Sequence, residues 1–538
     1  MDERITVAEY LGHRLRQAGV EHLFGVPGDF NLTLLDHLTT VPGLHWTGSP
    51  NELNAGYAAD AYARRKGLAA LVTTYGVGEL SALNAVAGSA AEDVPVVHIV
   101  GSPSTAAVST GRKVHHTLAD GVFGHFERAF AEVCVHSETL TAERAAEQID
   151  AVLLAARTHR KPAYLSVPMD LATLKVSSAP LNTPLRQPVS PTAELERDLT
   201  ESLRTATRPV FVVGHLVPRY GLVPAVLKAA RAANIPIVTT LAAKGVIDES
   251  DPLHFGDHAG TMVDASGGLV TDADLVIELG TVHTDLLTGF FTHRVGDVHF
   301  SATRAGGHDV LFPDAVAALA RVCEDLRFSL PDKSSQDRPA AGHSDEDAVS
   351  QESLWSVVES WLPPGTAVLA DTGTAFFGSV RMRLPDDTVY VGQPVWNSIG
   401  YALPATLGQG LAEPHRRPVL LVGDGAAQMT VQELSTIARA GLTPIVLLIN
   451  NDGYTIERAL QSPKAGYNDI APWDWTSLAV SLTGGAVWTR TVWTNAELRR
   501  ALHEAPADEF VVLEVVVDAF DTPPLLKELA ERNSGGAK

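Results

Sequence analysis

At 538 residues the chain is long enough for about three domains, and a composition that is 45% hydrophobic and 19% charged supports sizeable cores and excludes global disorder. A formal net charge of −22 gives a polyanion nothing to bind, so nucleic acid is not expected as a partner. Two cysteines, Cys134 and Cys323, exclude a dense disulfide framework and fit a reducing compartment, MDERITVAEY has no apolar signal core, and no apolar run spans a bilayer. The expectation is a soluble cytoplasmic protein with no membrane partner.

Short apolar runs alternate with helical patterns, which predicts an α/β fold of three domains, each a mostly parallel sheet flanked by helices. The first block opens with a capping box, Thr6 with Glu9, before the helix VAEYLGHRLRQAG. Strands are predicted at HLFGV, LHWTG, LAALVTT, VPVVHIV and PAYLSV. SSAPLNTPLRQPVSPTAEL, residues 177–195, is rich in Pro, Ser and Thr and reads as a linker. The second block offers RPVFVVG, IPIVTT, ADLVIELG and GDVHFSA, and a polar segment at 329–351 reads as the second linker. The third block offers TAVLAD, TVYVG, PVLLVGDG, TPIVLLINN, AVWTRTV and FVVLEVVV. Three blocks of similar grammar could be related domains.

In the third block PIVLLI runs into Asn450-Asn451-Asp452-Gly453, and Asp-Gly between apolar segments is a strong hairpin signal. PVLLVGDG likewise ends in Gly423-Asp424-Gly425. TVQELSTIARAGLT lies between the two runs, with a Thr430/Glu433 capping box, helical spacing of Val431, Leu434, Ile437 and Ala438, and Gly441 at the C′ position. The unit is therefore strand–helix–strand, with parallel strands whose carboxyl ends share one edge. Asp424 and Asn451 meet at that edge, where open α/β folds place ligands. A carboxylate and a carboxamide are hard oxygen donors, suited to Mg²⁺ or Ca²⁺ and not to zinc. Mg²⁺ favours one or two such ligands plus phosphate oxygens and water, and a Gly-Asp-Gly-Ala turn entering a helix can cradle a phosphate.

GDGA (423–426) paired with NNDG (450–453) resembles the thiamin diphosphate signature, and the continuation YTIERA (454–459) resembles the 2-oxo-acid decarboxylases, which include pyruvate, indolepyruvate, phenylpyruvate and branched-chain decarboxylases. The resemblance covers essentially the whole chain. It implies a pyrimidine-binding domain at 1–178, a middle domain at 196–330 and a diphosphate-binding domain at 352–538. It implies Mg²⁺ held by Asp424, Asn451 and the carbonyl of Gly453, with Gly423, Gly425 and Ala426 at the diphosphate. FGVPGDFN (24–31), SPNELN (49–54), VHHTL (114–118) and SIGYALPA (398–405) match further family motifs and supply Asp29, Glu52, His115, His116 and Ile399; YTIE supplies Glu457. Thr372 and Asn397 join the cofactor contacts.

Each of these residues also has a plainer reading. Ser49-Pro50-Asn51-Glu52 is a capping box with proline at N1; in the family the Glu52 carboxylate bonds the aminopyrimidine and favours loss of the thiazolium C2 proton. Ile399 could be core; the family role is a wedge that bends the cofactor into a V. His115 and His116 could be an exposed loop or a proton relay, Asp29 a turn residue after Pro27-Gly28, and Glu457 a solvent-facing helix position. The resemblance places these four around the reactive carbon, where acid groups favour protonation and aldehyde release.

Two departures from the family pattern stand out. Asn397 replaces the usual glycine after Trp396, and its tolerance of left-handed backbone lets the carbonyl keep its place. Ala426 replaces the commoner serine. Thr372, Phe376, Phe377, Ile456, Leu460 and Leu286 are expected to line an apolar substrate pocket, which disfavours a second carboxylate and leans towards aliphatic or phenyl side chains over indole. The activity implied is non-oxidative decarboxylation of a 2-oxo acid to an aldehyde by a homodimer or homotetramer with active sites between chains. The rivals are an acetolactate-synthase-like carboligase, a flavin-dependent oxidase, and a metal- and phosphate-binding regulatory protein without turnover.

Overall fold

The computed structural model describes residues 4–333 and 343–535, the last three by backbone alone. Residues 334–342 of the expected second linker lie outside the described residues. The chain divides into two units, Met1–Pro188 with Leu407–Glu413, and Val189–Thr406 with Pro414–Lys538.

The first unit is built on a six-stranded sheet in the spatial order His45–Gly48, His22–Gly25, Ala69–Thr74, Val96–Ser102, Ala163–Pro168, Ser137–Thr139, parallel throughout. All five expected strands are present. Ala69–Thr74 is buried at every position, as a strand covered on both faces must be, so it reads as a continuous apolar run with no alternation. Ser137–Thr139 is short and polar at the sheet edge and carries no such run. The Thr6/Glu9 box forms as expected: the Glu9 N–H donates to Thr6 Oγ1 (3.0 Å) and the Thr6 N–H to Glu9 Oε2 (2.6 Å). The expected linker 177–195 is structured at both ends. Lys175–Ser177 pairs antiparallel with Arg4–Thr6, and the helix Ala193–Thr205 has already begun. That helix shows why: Leu195, Leu199 and Leu203 stack four residues apart and are buried, each worth about 2 kcal/mol.

The second unit holds two sheets. The central one runs Val263–Asp264, His254–Ala259, Ile237–Thr240, Pro209–Val213, Leu275–Leu279, Val298–Phe300, parallel except for its first pair. His254–Ala259 escapes an apolar-run search because it contains two histidines and an aspartate. Two of these polar groups are satisfied internally, Thr239 Oγ1 lying 2.7 Å from Asp257 Oδ1 and 3.0 Å from His254 Nε2. The third sheet runs Val389–Val391, Ala367–Ala370, Pro418–Gly423, Ile445–Asn450, Val511–Val516, Trp488–Val492, all parallel and all expected.

Numbered within their own sheets, the strands of the first and third sheets follow one order, 2-1-3-4-6-5. The parallel strands of the central sheet run third, second, first and then the two latest. The likeness among three blocks thus extends to strand order in two of them only. Among the described residues no helix is long and apolar enough to cross a membrane.

Candidate active site

The register Gly423↔Ile449 makes Pro418–Gly423 and Ile445–Asn450 a parallel pair, so the hairpin reading of NNDG fails and the crossover holds. The crossover differs from expectation in detail. It contains two helices, Asp424–Thr430 and Glu433–Arg439, and the Thr430/Glu433 capping box does not form. Thr430 ends the first helix, and its hydroxyl donates to the Gly400 carbonyl at 2.8 Å. Gly441 (φ 71°) follows the second helix as expected.

Asp424 is only 1% exposed. Its Oδ1 accepts from the Gly425 N–H (2.8 Å) and its Oδ2 from the Gly453 N–H (3.1 Å), yet burial still pushes the carboxyl up to about 6. Asn451 is 3% exposed. One end of its amide lies 3.0 Å from Asp424 Oδ1 and 2.7 Å from the Gly453 carbonyl oxygen, and the other end 3.2 Å from Thr455 Oγ1. With the nitrogen turned inward, the amide donates to both oxygens and the site is satisfied without an ion. With the oxygen turned inward, three oxygens face one another and only a cation satisfies them. Octahedral Mg²⁺ at about 2.05 Å from each ligand sets neighbouring oxygens about 2.9 Å apart. The donor set and its spacing therefore fit Mg²⁺.

Gly453 must be glycine: φ is 132°, and a Cβ would collide with the Asn468 carbonyl. Buried Arg458 clamps the same turn, donating to the carbonyls of Asn451 (3.0 Å) and Asp452 (2.7 Å) and pairing with Asp469 (3.0 Å). The first N–H groups of helix Asp424–Thr430 include those of Gly425 and Ala426, and its N-cap, Gly423, brings no capping side chain. Glu457 is exposed on the helix Thr455–Leu460.

A second loop on this edge carries Asn397 and half-buried Ile399. Fully buried Asp371 pins it, accepting from the N–H groups of Gly400 (3.0 Å) and Ala402 (2.7 Å), and burial pushes its carboxyl up to about 7. Asn397 adopts φ 56°, the left-handed conformation that glycine would take. Its side chain folds back to donate to the Pro394 carbonyl at 3.0 Å. Thr372 follows Asp371 and is half-buried. Phe376 and Phe377 meet edge to face at 5.6 Å on the next helix and lie within the core of this domain, with Leu286, Ile456 and Leu460 packed half-buried against that core. The helices bearing Phe376 and Ile456 both pack on the C-terminal helix Pro524–Gly535.

The first unit presents a different set of groups at the carboxyl edge of its sheet. Glu52 is the first residue of helix Glu52–Lys66. The expected Ser49-to-Glu52 capping box is absent: Asn51 is the N-cap and accepts from the Asn54 N–H (2.8 Å), which leaves Glu52 free of capping duty. Among the described residues its carboxylate has no protein hydrogen-bond partner, and Gly78 makes room for it, since a Cβ there would sit 3.0 Å from Glu52 Oε1. Asp29, His115 and His116 form one cluster with ligating atoms within 4.8 Å of one another. His115 Nε2 lies 2.6 Å from Asp29 Oδ2, with the side chains 59% and 51% exposed. His115 stacks on Phe30 (4.9 Å, 13°) and meets the His116 ring at 4.6 Å. His116 has φ 62°, and its carbonyl leaves no space for a Cβ at Gly76. The Gly76 N–H donates to buried Glu79 (2.7 Å), which also accepts from the Tyr164 hydroxyl (2.8 Å); burial pushes Glu79 up to about 7.

Sequence reasoning gave no role to Asp371, Arg458 or Glu79, which hold loops, although Arg458 stands within YTIERA. One signal existed: Glu79 follows Gly76 at capping-box spacing.

Three stretches match models of one family. Residues 5–123 match the thiamine pyrophosphate enzyme N-terminal TPP binding domain, 197–309 its central domain and 371–515 its C-terminal TPP binding domain. Relatives described as alpha-keto-acid decarboxylases align over nearly their whole length. One from Mycobacterium leprae is 41% identical over 97% of this chain and 95% of the relative. One from Mycobacterium avium is 41% identical over 98% and 97%, and one from Mycobacterium tuberculosis H37Rv is 39% identical over 98% and 97%.

Proposed function

The chain belongs to the thiamine pyrophosphate-dependent alpha-keto-acid decarboxylases, which makes it a carboxy-lyase, and from that premise we propose a finer reading. The enzyme converts pyruvate, a branched aliphatic 2-oxo acid, or phenylpyruvate or indolepyruvate into CO₂ and the aldehyde, without oxidation, using Mg²⁺. Asp424, Asn451 and the Gly453 carbonyl would hold the ion. Gly423, Gly425 and Ala426 would meet the diphosphate through their backbone, Thr372, Asn397 and Ile399 the middle of the cofactor, and Glu52 its pyrimidine. When bound, the cofactor supplies the electron sink that lets CO₂ depart.

The chain's own residues manage position and protons. Glu52, without a hydrogen-bond partner among the described residues, is available to hold a proton at the pyrimidine ring nitrogen. Asp29 orients the His115 imidazole through Nε2, and His116 stands beside it as a second carrier. Glu457 delivers the proton that precedes aldehyde release. Phe376, Phe377, Ile456, Leu460 and Leu286 give an apolar surround that takes an uncharged substrate tail. The half-exposure of Asp29 and His115 supports a homodimer or homotetramer in which a second chain covers them.

The observation that carries this reading is the convergence of Asp424, Asn451 and the Gly453 carbonyl at ligand spacing. The test is an aldehyde assay over pyruvate, 4-methyl-2-oxopentanoate, phenylpyruvate and indolepyruvate, with thiamin diphosphate and Mg²⁺ present or withheld. Aldehyde release that needs both is expected. Acetolactate formation without aldehyde would replace the reading with a carboligase.

A further inference from the structure

A second cluster of ligating side chains lies at the carboxyl edge of the central sheet. Glu278, on Leu275–Leu279, is 2% exposed, and among the described residues its carboxylate is hydrogen-bonded only at His283, whose Nε2 is 3.1 Å from both oxygens. Gly296 makes this possible, because a Cβ there would sit 2.6 Å from Glu278 Cγ. His293 packs its ring 4.6 Å from that of His283. The ligating atoms of Glu278, His283 and His293 all lie within 4.8 Å of one another.

The Glu278–His283 pair alone, its carboxylate buried and its imidazole 31% exposed, would be an ordinary ion pair, but it does not account for two neighbours. Both ring nitrogens of His293 are shielded from solvent and lack a hydrogen-bond partner among the described residues. The same is true of His258, which is 7% exposed and lines the same cavity, with Asp264 at 3.7 Å. An unbonded buried polar group costs about 1–3 kcal/mol, so two such imidazoles facing one carboxylate need a reason. Arg294, which also lines the cavity, is not a competitor: its guanidinium is taken by Asp297 (2.9 Å) and the Ala273 carbonyl.

We propose that Glu278, His283 and His293 form a binding site for a divalent transition-metal ion of the zinc class, with His258 beside the open position. Two imidazoles and a carboxylate suit Zn²⁺ or Co²⁺ and not Mg²⁺ or Ca²⁺. The ion would replace the proton shared by Glu278 and His283 and supply the partner that His293 lacks. Its consequence is architectural. Residues 281–297 form a long connection that the metal would tie to the sheet, and that connection places Leu287 and Phe290 against the core around the third sheet. The site is separate from the Asp424 site in residues and in metal preference, and it does not rest on the proposed chemistry.

Cobalt gives a direct readout, since Co²⁺ bound through nitrogen at low coordination number absorbs visibly whereas Co²⁺ in an all-oxygen octahedral site is nearly colourless. Full-length protein is stripped with a chelator, returned to Mg²⁺ with thiamin diphosphate, and titrated with Co²⁺. One equivalent should develop the band. His293→Gln and, separately, His283→Asn should weaken binding at least about 100-fold while the far-UV circular dichroism stays that of the parent. Asp424→Ala should leave the band unchanged. Absence of the band in the parent, its persistence in both histidine variants, or its loss in Asp424→Ala would overturn the site. If one histidine variant fails to fold, the other and the parent spectrum still decide.

Discussion

The first and third sheets share a strand order, and both carry candidate site residues at their carboxyl edges, yet the two edges are built for opposite conditions. At the third sheet, Asp424 and Asn451 are withdrawn from solvent, and the turn that carries Gly453 is clamped by Arg458. At the first sheet, Asp29 and His115 lie on two loops, half exposed in the single chain, and His115 stacks on Phe30. Binding a dication to a phosphorylated ligand calls for fixed oxygens in a dry setting, where electrostatic attraction is strong. Moving protons calls for groups that can exchange them. The same topology would serve both because the loops after the strands, and not the strands, set the exposure. On the proposed reading the buried edge would be tied to folding and to the ion, while the exposed edge would be free to change without disturbing either.

The largest effect is expected at the proton-handling edge. Glu52→Gln keeps the shape of the side chain and removes its charge, so hydrogen–deuterium exchange at C2 of bound thiamin diphosphate should slow by about 10²–10⁴-fold, and aldehyde release with it. The melting temperature should not fall, because Asn51 and not Glu52 caps the helix. Unchanged exchange would reduce Glu52 to a first-turn helix residue. At the binding edge, Asp424→Ala should weaken cofactor retention in magnesium buffer by about 100-fold or more, beyond the usual effect of losing a group that merely supports a ligand. Gel filtration followed by assay of retained cofactor reads this directly, and full retention would break the contrast between the edges.

Most of the strand skeleton was legible in the sequence, because a parallel strand covered on both faces must be a continuous apolar run. The strands that escaped were those whose polar groups are satisfied by neighbours, such as His254–Ala259, or that lie short and polar at an edge, such as Ser137–Thr139. The helix caps were less legible: Thr6/Glu9 forms a box, but Ser49/Glu52 and Thr430/Glu433 do not, although all three share the spacing. In the last pair the Thr430 hydroxyl is drawn to the Gly400 carbonyl, a tertiary partner that no local pattern reports. The liganding turns were legible as motifs. The groups that hold them were not: Asp371 holds backbone N–H groups of a distant segment, and Arg458, although it stands within YTIERA, turns back onto the carbonyls of Asn451 and Asp452.

Glu79 is where the exposed edge reaches into its own core. It supports Gly76, which lies against the His116 carbonyl. Its folded value of about 7 lies above the 4.5 of a free glutamate because burial disfavours the charge. The neutral form is thus favoured by folding. The contribution is complete below pH 4.5 and is lost as pH rises through 7, up to about 3 kcal/mol. Urea midpoints at pH 5 and pH 8 should fall further in the parent than in Glu79→Gln. An equal fall in both would mean that Glu79 is charged throughout, and the core beneath the histidines would then be as wet as the loop above it.

The smallest effect is expected from the closest pair on the open edge. Asp29 and His115 meet at 2.6 Å, and distance alone would argue for a strong interaction. Exposure argues otherwise: both side chains are more than half in solvent, where water and salt screen the attraction and pairs of this kind contribute about 0.2–1 kcal/mol. Asp29→Asn should accordingly move the unfolding free energy by less than about 1 kcal/mol while slowing aldehyde release, because the imidazole loses the carboxylate that orients it. A larger loss of stability in the isolated chain would show that the pair is sheltered in solution. That outcome would leave the two edges alike in their coupling to folding, and exposure could no longer explain their division of labour.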